Sequence, residues 1–76
     1  MNKTWTVNAN GTNHSIEYKR NRLIVDGQIY KLKSSNWFVQ MIDYSVSFGD
    51  VECRLVVIGN KVDLAVNGRF LGSGGP

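Results

Sequence analysis

Leu23–Tyr30 reads LIVDGQIY, and Leu64–Leu71 reads LAVNGRFL. Each stretch places a pair of turn-forming residues, Asp26-Gly27 or Asn67-Gly68, between two short apolar runs. A two-residue type I′ turn needs positive φ at both positions, and Asp, Asn and Gly tolerate that geometry better than other residues. The two stretches therefore predict two similar β-hairpins, one in each half of the chain.

Apolar and polar residues alternate with a period of two on both sides of these hairpins, as in Trp5, Val7 and Ala9. Such alternation is typical of strands with one buried face, and no window shows the spacing of an amphipathic helix. Further turn signals separate the runs: Asn10-Gly11, Gly49-Asp50 and Gly59-Asn60. We predict an all-β fold, a small antiparallel β-sandwich or partly open barrel of about 7–8 short strands.

The two halves of the chain show a weak internal repeat. A shift that places Asp26-Gly27 on Asn67-Gly68 also places His14 on Leu55 without a gap, and the alternation stays in step. We predict two similar units of three to four strands, which must cover each other because neither is large enough to fold alone. Asp26 is interpreted as a turn residue, since Asn at the equivalent position cannot act as a general base.

The chain has 76 residues, of which 42% are apolar and 20% charged, a composition typical of one small globular domain. We place a single all-β domain at residues 1–71 and a flexible tail at residues 72–76. A core of this size gives marginal stability, and a single cysteine, Cys53, excludes an internal disulfide. Association with a second copy or another protein is the expected source of additional stability.

No apolar run is long enough to span a membrane, and none follows the N-terminal Lys3 as a signal peptide requires. We therefore expect a cytoplasmic protein with no membrane partner.

Catalytic chemistry finds little support in the residue pattern. In the period-two alternation, His14 falls on the same strand face as Ile16 and Tyr18. Cys53 falls on the inward face of its own run, so both are interpreted as packing residues. The six acidic residues are spread singly rather than as a dyad. We predict no catalytic residues, no metal and no cofactor; an enzyme built on His14 and Asp26 is kept as a third hypothesis.

Apolar residues on the outward face of the predicted strands suggest an interface. In the two predicted hairpins, Ile24 pairs with Ile29 and Ala65 with Phe70, on the face opposite the core. Apolar side chains there are covered by another part of the chain, such as the segment Ser34–Gln40, or form a contact surface. The preferred function is a non-enzymatic protein-interaction module, regulatory or scaffold-type, that forms a homo-oligomer, specifically a dimer, or binds another protein.

Basic residues interleaved with aromatics give the alternative function, binding of nucleic acid or another polyanion. A positive surface beside a stacking ring is the usual arrangement for single-stranded nucleic acid. The competing interpretation is that these residues keep a turn and an edge strand soluble. The candidate patch consists of Lys19, Arg20, Arg22, Lys31, Lys33 and Trp37.

Several short motifs, taken in order, resemble one known family. They are Trp5-Thr6-Val7, His14-Ser15-Ile16-Glu17-Tyr18, Leu23-Ile24-Val25-Asp26-Gly27, Trp37-Phe38 and Leu64-Ala65-Val66-Asn67-Gly68-Arg69. This order of W-x-V, H-x-I-E-aromatic, V-D-G, a following W and a small-x-N-G turn resembles the Fas apoptotic inhibitory molecule family over roughly residues 5–71.

The resemblance implies an all-β domain of short antiparallel strands in a family of soluble intracellular proteins. Members of that family regulate death-receptor signalling and protect against protein aggregation, without a known enzymatic activity. The family protein has two such domains, and this chain is long enough for one. The resemblance supplies no defined binding residues.

Overall fold

The computed structural model describes residues 2–72, which form eight strands and no helix. The strands are β1 (Asn2–Ala9), β2 (Thr12–Lys19), β3 (Arg22–Val25), β4 (Gln28–Lys31), β5 (Met41–Phe48), β6 (Val51–Ile58), β7 (Lys61–Val66) and β8 (Arg69–Phe70). Consecutive strands pair antiparallel within two sheets, β1-β2-β3-β4 (sheet 1) and β5-β6-β7-β8 (sheet 2). The predicted all-β sandwich built from two similar units is confirmed.

The inward faces of the two sheets share one core. Ile16 and Leu23 of sheet 1 and Leu55 and Leu64 of sheet 2 are at most 1% exposed. Successive side chains of a strand point to opposite faces, so the period-two alternation in the sequence becomes alternation between core and surface. Burial of each such side chain contributes about 1.5–3 kcal/mol to the hydrophobic stabilisation.

Two-residue turns connect the strands inside each sheet. Asp26 (φ 49°) with Gly27 (φ 85°) and Asn67 (φ 49°) with Gly68 (φ 83°) have positive φ at both positions, as the predicted type I′ turns require. The β2–β3 turn adopts the same geometry at Arg20-Asn21, with φ of 48° and 61°. Arg is seldom found at positive φ, which is why residue types alone gave no signal for this geometry.

The structural repeat contains a gap that the sequence comparison missed. Three strands of sheet 2 begin 39 residues after their counterparts in sheet 1: Asn2 and Met41, Thr12 and Val51, Arg22 and Lys61. β7 has six residues and β3 has four, so the final turn and the last strand follow the longer shift of 41 residues, from Asp26 to Asn67 and from Gln28 to Arg69. The structural counterpart of His14 is therefore Cys53 and not Leu55, because the pair Val7–His14 corresponds to Val46–Cys53.

The end of the described chain returns to the first strand. The indole Nε1 of Trp5 donates a hydrogen bond of 3.2 Å to the carbonyl oxygen of Gly72. This contact holds the segment after β8 against β1. The predicted flexible tail, residues 72–76, lies outside the described residues except for Gly72.

Candidate functional site

A histidine–aspartate pair lies at one end of the sandwich. Nδ1 of His14 is 2.7 Å from Oδ2 of Asp26, and the backbone amide of Ser15 donates to Oδ1 at 2.8 Å. A carboxylate accepts only, so Nδ1 is the protonated ring nitrogen in this pair. The imidazole also stacks on Phe48 of sheet 2, with 3.8 Å between ring centroids and 14° between planes. The pair thus connects the β3–β4 turn, β2 and the opposite sheet.

The carboxylate of Asp26 is held in its charged form. The hydrogen bond from His14 and the one from the Ser15 amide lower the pKa of Asp26 below its ordinary value. Asn67 repeats the backbone part of this arrangement, since the amide of Glu52 donates to its Oδ1 at 2.8 Å. The amide of each turn residue also donates to the strand carbonyl opposite, Asp26 to Ser15 and Asn67 to Glu52.

These contacts connect His14 and Asp26 to the fold, because they hold the β3–β4 turn against β2 and against Phe48 of sheet 2. A catalytic His–Asp pair also needs a nucleophile within reach of the second ring nitrogen. In the part of the chain that the structure describes, the hydrogen bonds of His14 lead to Asp26 alone, and no hydroxyl or thiol is bonded to its ring. The sole thiol, Cys53, is fully buried, and burial raises its pKa, so it is protonated and inaccessible.

The four residues predicted as one interface fall on two different surfaces. Ile24 and Ile29 form a cross-strand pair on the outer face of sheet 1, where Ile29 is 58% exposed. Ala65 and Phe70 pair on the outer face of sheet 2, where Phe70 is half exposed but Ala65 is buried. The outer faces of a two-layer sandwich point in opposite directions, so one partner surface does not contact all four.

Further apolar residues surround Phe70 on the outer face of sheet 2. We call this surface the sheet 2 patch; it consists of Met41, Val56, Ile58 and Phe70. Val56 and Ile58 line two shallow clefts, one of about 380 Å³ towards β8 and one of about 270 Å³ towards β5. Val56 and Ile58 point to the outer face of β6, and Met41 belongs to the patch because it pairs with Ile58 across β5 and β6.

Charged residues border the sheet 2 patch. Lys61 and Asp63 line the cleft towards β8. On the other side, Nε and Nη2 of Arg54 donate to the two carboxylate oxygens of Asp43 at 2.8 and 2.5 Å. This bidentate ion pair lowers the pKa of Asp43 below its ordinary value. Both signs of charge therefore lie at the border of the patch. The Asp43 carboxylate beside its apolar centre is paired with Arg54.

The structure brings the predicted polyanion residues to one end of the molecule. Lys19, Arg22 and Lys31 are successive cross-strand partners on β2, β3 and β4, and Arg20 lies in the turn that joins β2 to β3. The β6–β7 turn of sheet 2 lies at the same end, because a cleft of about 250 Å³ is lined by residues of both turns. We call this region the basic end; its cations are Lys19, Arg20, Arg22, Lys31, Lys33 and Lys61.

Residues 32–40 connect β4 to β5 and so join the two sheets at the basic end, and this connection has its own hydrogen bonds. The amide of Met41 donates to the hydroxyl of Ser34 at 2.8 Å, and Oδ1 of Asn36 accepts from the amides of Phe38 and Val39. Trp37 and Phe38, at the apex, pack edge to face with centroids 5.9 Å apart. Their exposed fractions of 92% and 87% show that the rest of the described chain leaves both rings uncovered.

The same connection is attached to both basic-end turns. The amide of Leu32 donates to the carbonyl of Asn21, and the amide of Gly59 donates to the carbonyl of Gln40. The side-chain amide of Gln40 donates to the Asn21 side chain, which also accepts from the Tyr18 hydroxyl. The segment reaches the edge of the sheet 2 outer face, where Ser35 lines the cleft of about 270 Å³, but it leaves Met41 39% and Ile58 54% exposed.

Residues 2–72 contain neither a metal-binding cluster nor a membrane-spanning helix. No group of three or more His, Cys, Asp or Glu side chains is arranged to hold a metal ion in this part of the chain. The same residues contain no helix that is long and apolar enough to cross a membrane. Comparisons with known proteins add no assignment, since no family model, curated protein or solved structure matches the chain.

Proposed function

We propose that the chain is a non-enzymatic protein-interaction module that self-associates through the sheet 2 patch. The observation that supports this proposal is the row of exposed apolar side chains on β5, β6 and β8, where Ile58 is 54%, Phe70 50% and Met41 39% exposed. Apolar side chains grouped on one sheet face are stabilised when a partner removes them from water. A small domain with a single core gains most from such burial.

A second copy is the partner that this surface fits. Consider a two-fold axis in the plane of the interface, crossing β6 at right angles between Val56 and Ile58. It places Val56 of each copy opposite Ile58 of the other, because the two residues are symmetric about the axis. The same rotation brings Lys61 opposite Asp63 on β7 and Met41 opposite Asp43 on β5, so the apolar contact is centred on Val56 and Ile58. An interface between identical copies must be self-complementary in this way.

The test compares two exposed isoleucines on opposite faces. Ile58→Asp places a charge at the centre of the proposed interface, whereas Ile29→Asp places the same charge on the outer face of sheet 1, at a similar exposure of 58%. In sedimentation experiments over a range of concentrations, Ile58→Asp should raise the dimer dissociation constant at least about tenfold, since it buries an unpaired charge. Ile29→Asp should leave the constant unchanged.

A charge exchange tests the geometry of the proposed dimer. Lys61→Asp and Asp63→Lys should each weaken association, because each creates like charges across the two-fold axis. The double variant restores the opposite signs and should recover dimerisation. A wild-type protein that sediments as a monomer at all concentrations would overturn the self-association proposal, and equal effects of the two isoleucine variants would remove its assignment to sheet 2.

We also propose that the chain contains a domain related to the Fas apoptotic inhibitory molecule family and that it has a cytoplasmic location. The support is that three of the quoted motifs occupy positions where side-chain identity matters for the fold. Trp5 is buried, His14 stacks on Phe48, and Asp26-Gly27 forms the type I′ turn. The activity to measure is suppression of heat-induced aggregation of an unrelated client protein. No suppression at equimolar concentration would count against a shared protective function.

A further inference from the structure

The basic end combines two features that, apart from Lys61, the self-association proposal does not use. One is the pair of aromatic rings at the apex of residues 33–40, which are 92% and 87% exposed. The other is the concentration of positive charge around the attachment of that segment. Exposure of two large aromatic side chains on a hydrogen-bonded loop costs free energy in water. This cost is removed when the two rings enter a less polar environment.

Charge is distributed unevenly along the sandwich. Six of the nine Lys and Arg residues belong to the basic end, whereas the turns and the connection at that end contain no Asp or Glu. At the other end lie Asp26, Asp50 and Glu52, with Arg69 following the β7–β8 turn. The whole-chain charge of +3 therefore understates the positive potential at the basic end. A partner recognised there has a dense negative charge.

The arrangement of the rings separates two classes of polyanion. Single-stranded nucleic acid binds in a positive groove whose aromatic side chains offer free faces for base stacking. Here the two rings project from the apex of a loop, 92% and 87% exposed, instead of lining a groove, while the row Lys19, Arg22 and Lys31 lies on the outer face of sheet 1. Trp and Phe beside Lys and Arg are instead typical of segments that lie in the interface of an anionic bilayer.

We infer that the basic end docks on an anionic phospholipid surface, with Trp37 and Phe38 inserted among the headgroups and the surrounding Lys and Arg side chains bound to phosphate. Docking of this kind is peripheral and requires no spanning segment. Each basic side chain near such a surface strengthens binding roughly fivefold. Arg20 lines the cleft of about 250 Å³ between the two basic-end turns, together with Asn21 and Asn60.

The experiment is co-sedimentation with vesicles of phosphatidylserine and phosphatidylcholine, compared with pure phosphatidylcholine. We expect binding to the anionic vesicles alone, with a blue shift of Trp37 emission, because Trp5 is already buried. The double variant Trp37→Ala with Phe38→Ala should lose most of the binding. Arg20→Asn should weaken it roughly fivefold, and it keeps the fold because Asn suits the φ of 48° at this position.

Matched controls remove the same kinds of group elsewhere. Arg69→Gln neutralises a cation after the β7–β8 turn, and Leu71→Ala shortens an exposed apolar side chain. Neither should change vesicle binding. Absence of binding to anionic vesicles would overturn the inference. Binding of a single-stranded oligonucleotide, with Trp37 quenched and no affinity for vesicles, would assign the basic end to nucleic acid instead.

Discussion

The two sheets have the same strand order and the same hairpin geometry but different outer surfaces. On sheet 1 the terminal cross-strand row consists of Asn2, Lys19, Arg22 and Lys31. The counterparts of the first three on sheet 2 are Met41, Ile58 and Lys61, so two polar positions become apolar and one cation is kept. The inner faces are equivalent, because both must fill one core. A repeated fold thus constrains the inward half of its residues and leaves the outward half free to differ. The proposed binding surfaces lie in that outward half.

The Asp26 and Asn67 turns show the same division on a smaller scale. Both side chains accept a hydrogen bond of 2.8 Å from a strand amide, and both residues adopt a φ of 49°. Asp26 has a second carboxylate oxygen that contacts His14, while the structural counterpart of His14 in sheet 2 is Cys53. The shared contact maintains the turn, and the additional contact is specific to the first half.

Equivalent core truncations test whether the halves are energetically equal. Ile16→Ala and Leu55→Ala occupy corresponding positions and are 0% and 1% exposed. Each should destabilise the fold by about 2–5 kcal/mol, from lost burial and the cavity that remains. Urea unfolding followed by circular dichroism should show one transition in both variants, because neither sheet buries its inner face alone. A transition of sheet 1 that survives Leu55→Ala would contradict this interdependence.

Removal of the turn side chains is expected to have the next largest effect. Asn67→Ala loses the acceptor for the Glu52 amide and places a β-carbon at positive φ, with a cost of about 1–2 kcal/mol. Asp26→Ala should destabilise more at pH 7, because it also removes the partner of His14. Replacement of Asn67 by Gly provides the control, since it removes the hydrogen bond without backbone strain. Equal losses for the two Ala variants would show that the His14 contact adds nothing.

A third prediction concerns the contact between the sheets at His14. His14→Ala removes the stacking on Phe48 and should cost about 0.5–1.5 kcal/mol. His14→Phe keeps a ring of similar shape but not the hydrogen bond to Asp26, so it should recover the stacking part of the loss. Thermal unfolding of both variants separates the two contributions. Identical stabilities for wild type and His14→Ala would contradict a contribution of this residue to the fold.

Much of the fold could be predicted because strand periodicity and turn chemistry are local properties. The turns at Asp26-Gly27 and Asn67-Gly68 require residue types that the sequence displays openly. The two additional residues of β7 were missed, since alternation with a period of two is unchanged by a shift of two residues. A turn near Arg20 was among the interpretations of the basic residues, but its positive φ at both positions was not predicted, because Arg has no preference for that geometry.

The candidate surfaces could be predicted only in part. Parity identified Ile29 and Phe70 as outward residues, and both are exposed. Parity does not show that they belong to opposite faces of a sandwich, since that depends on which sheet each strand joins. It also does not show that Ala65 is buried, because a small side chain is readily covered by its neighbours. The His14–Asp26 contact joins β2 to a turn, and only the strand register brings these residues together.

The smallest expected effect converts the first turn into a copy of the second. Asp26→Asn keeps an acceptor for the Ser15 amide but loses the charge that His14 stabilises. Because the pKa of Asp26 is lowered on folding, its carboxylate contributes stability above the unfolded pKa of about 3.9, and this contribution is lost as the pH falls through the folded value. The wild type should therefore be the more stable protein at pH 7, and the difference should shrink below about pH 4.

Asp43 needs separate treatment in that experiment, because Arg54 lowers its pKa in the same direction. Asp43→Asn alone should leave the acid sensitivity due to Asp26 in place, and the double variant should remove both contributions. Urea unfolding at a series of pH values gives the stability differences directly. A difference between wild type and Asp26→Asn that stays constant through acid would show that the carboxylate charge is irrelevant to the fold. The two turns would then be equivalent in energy as well as in geometry.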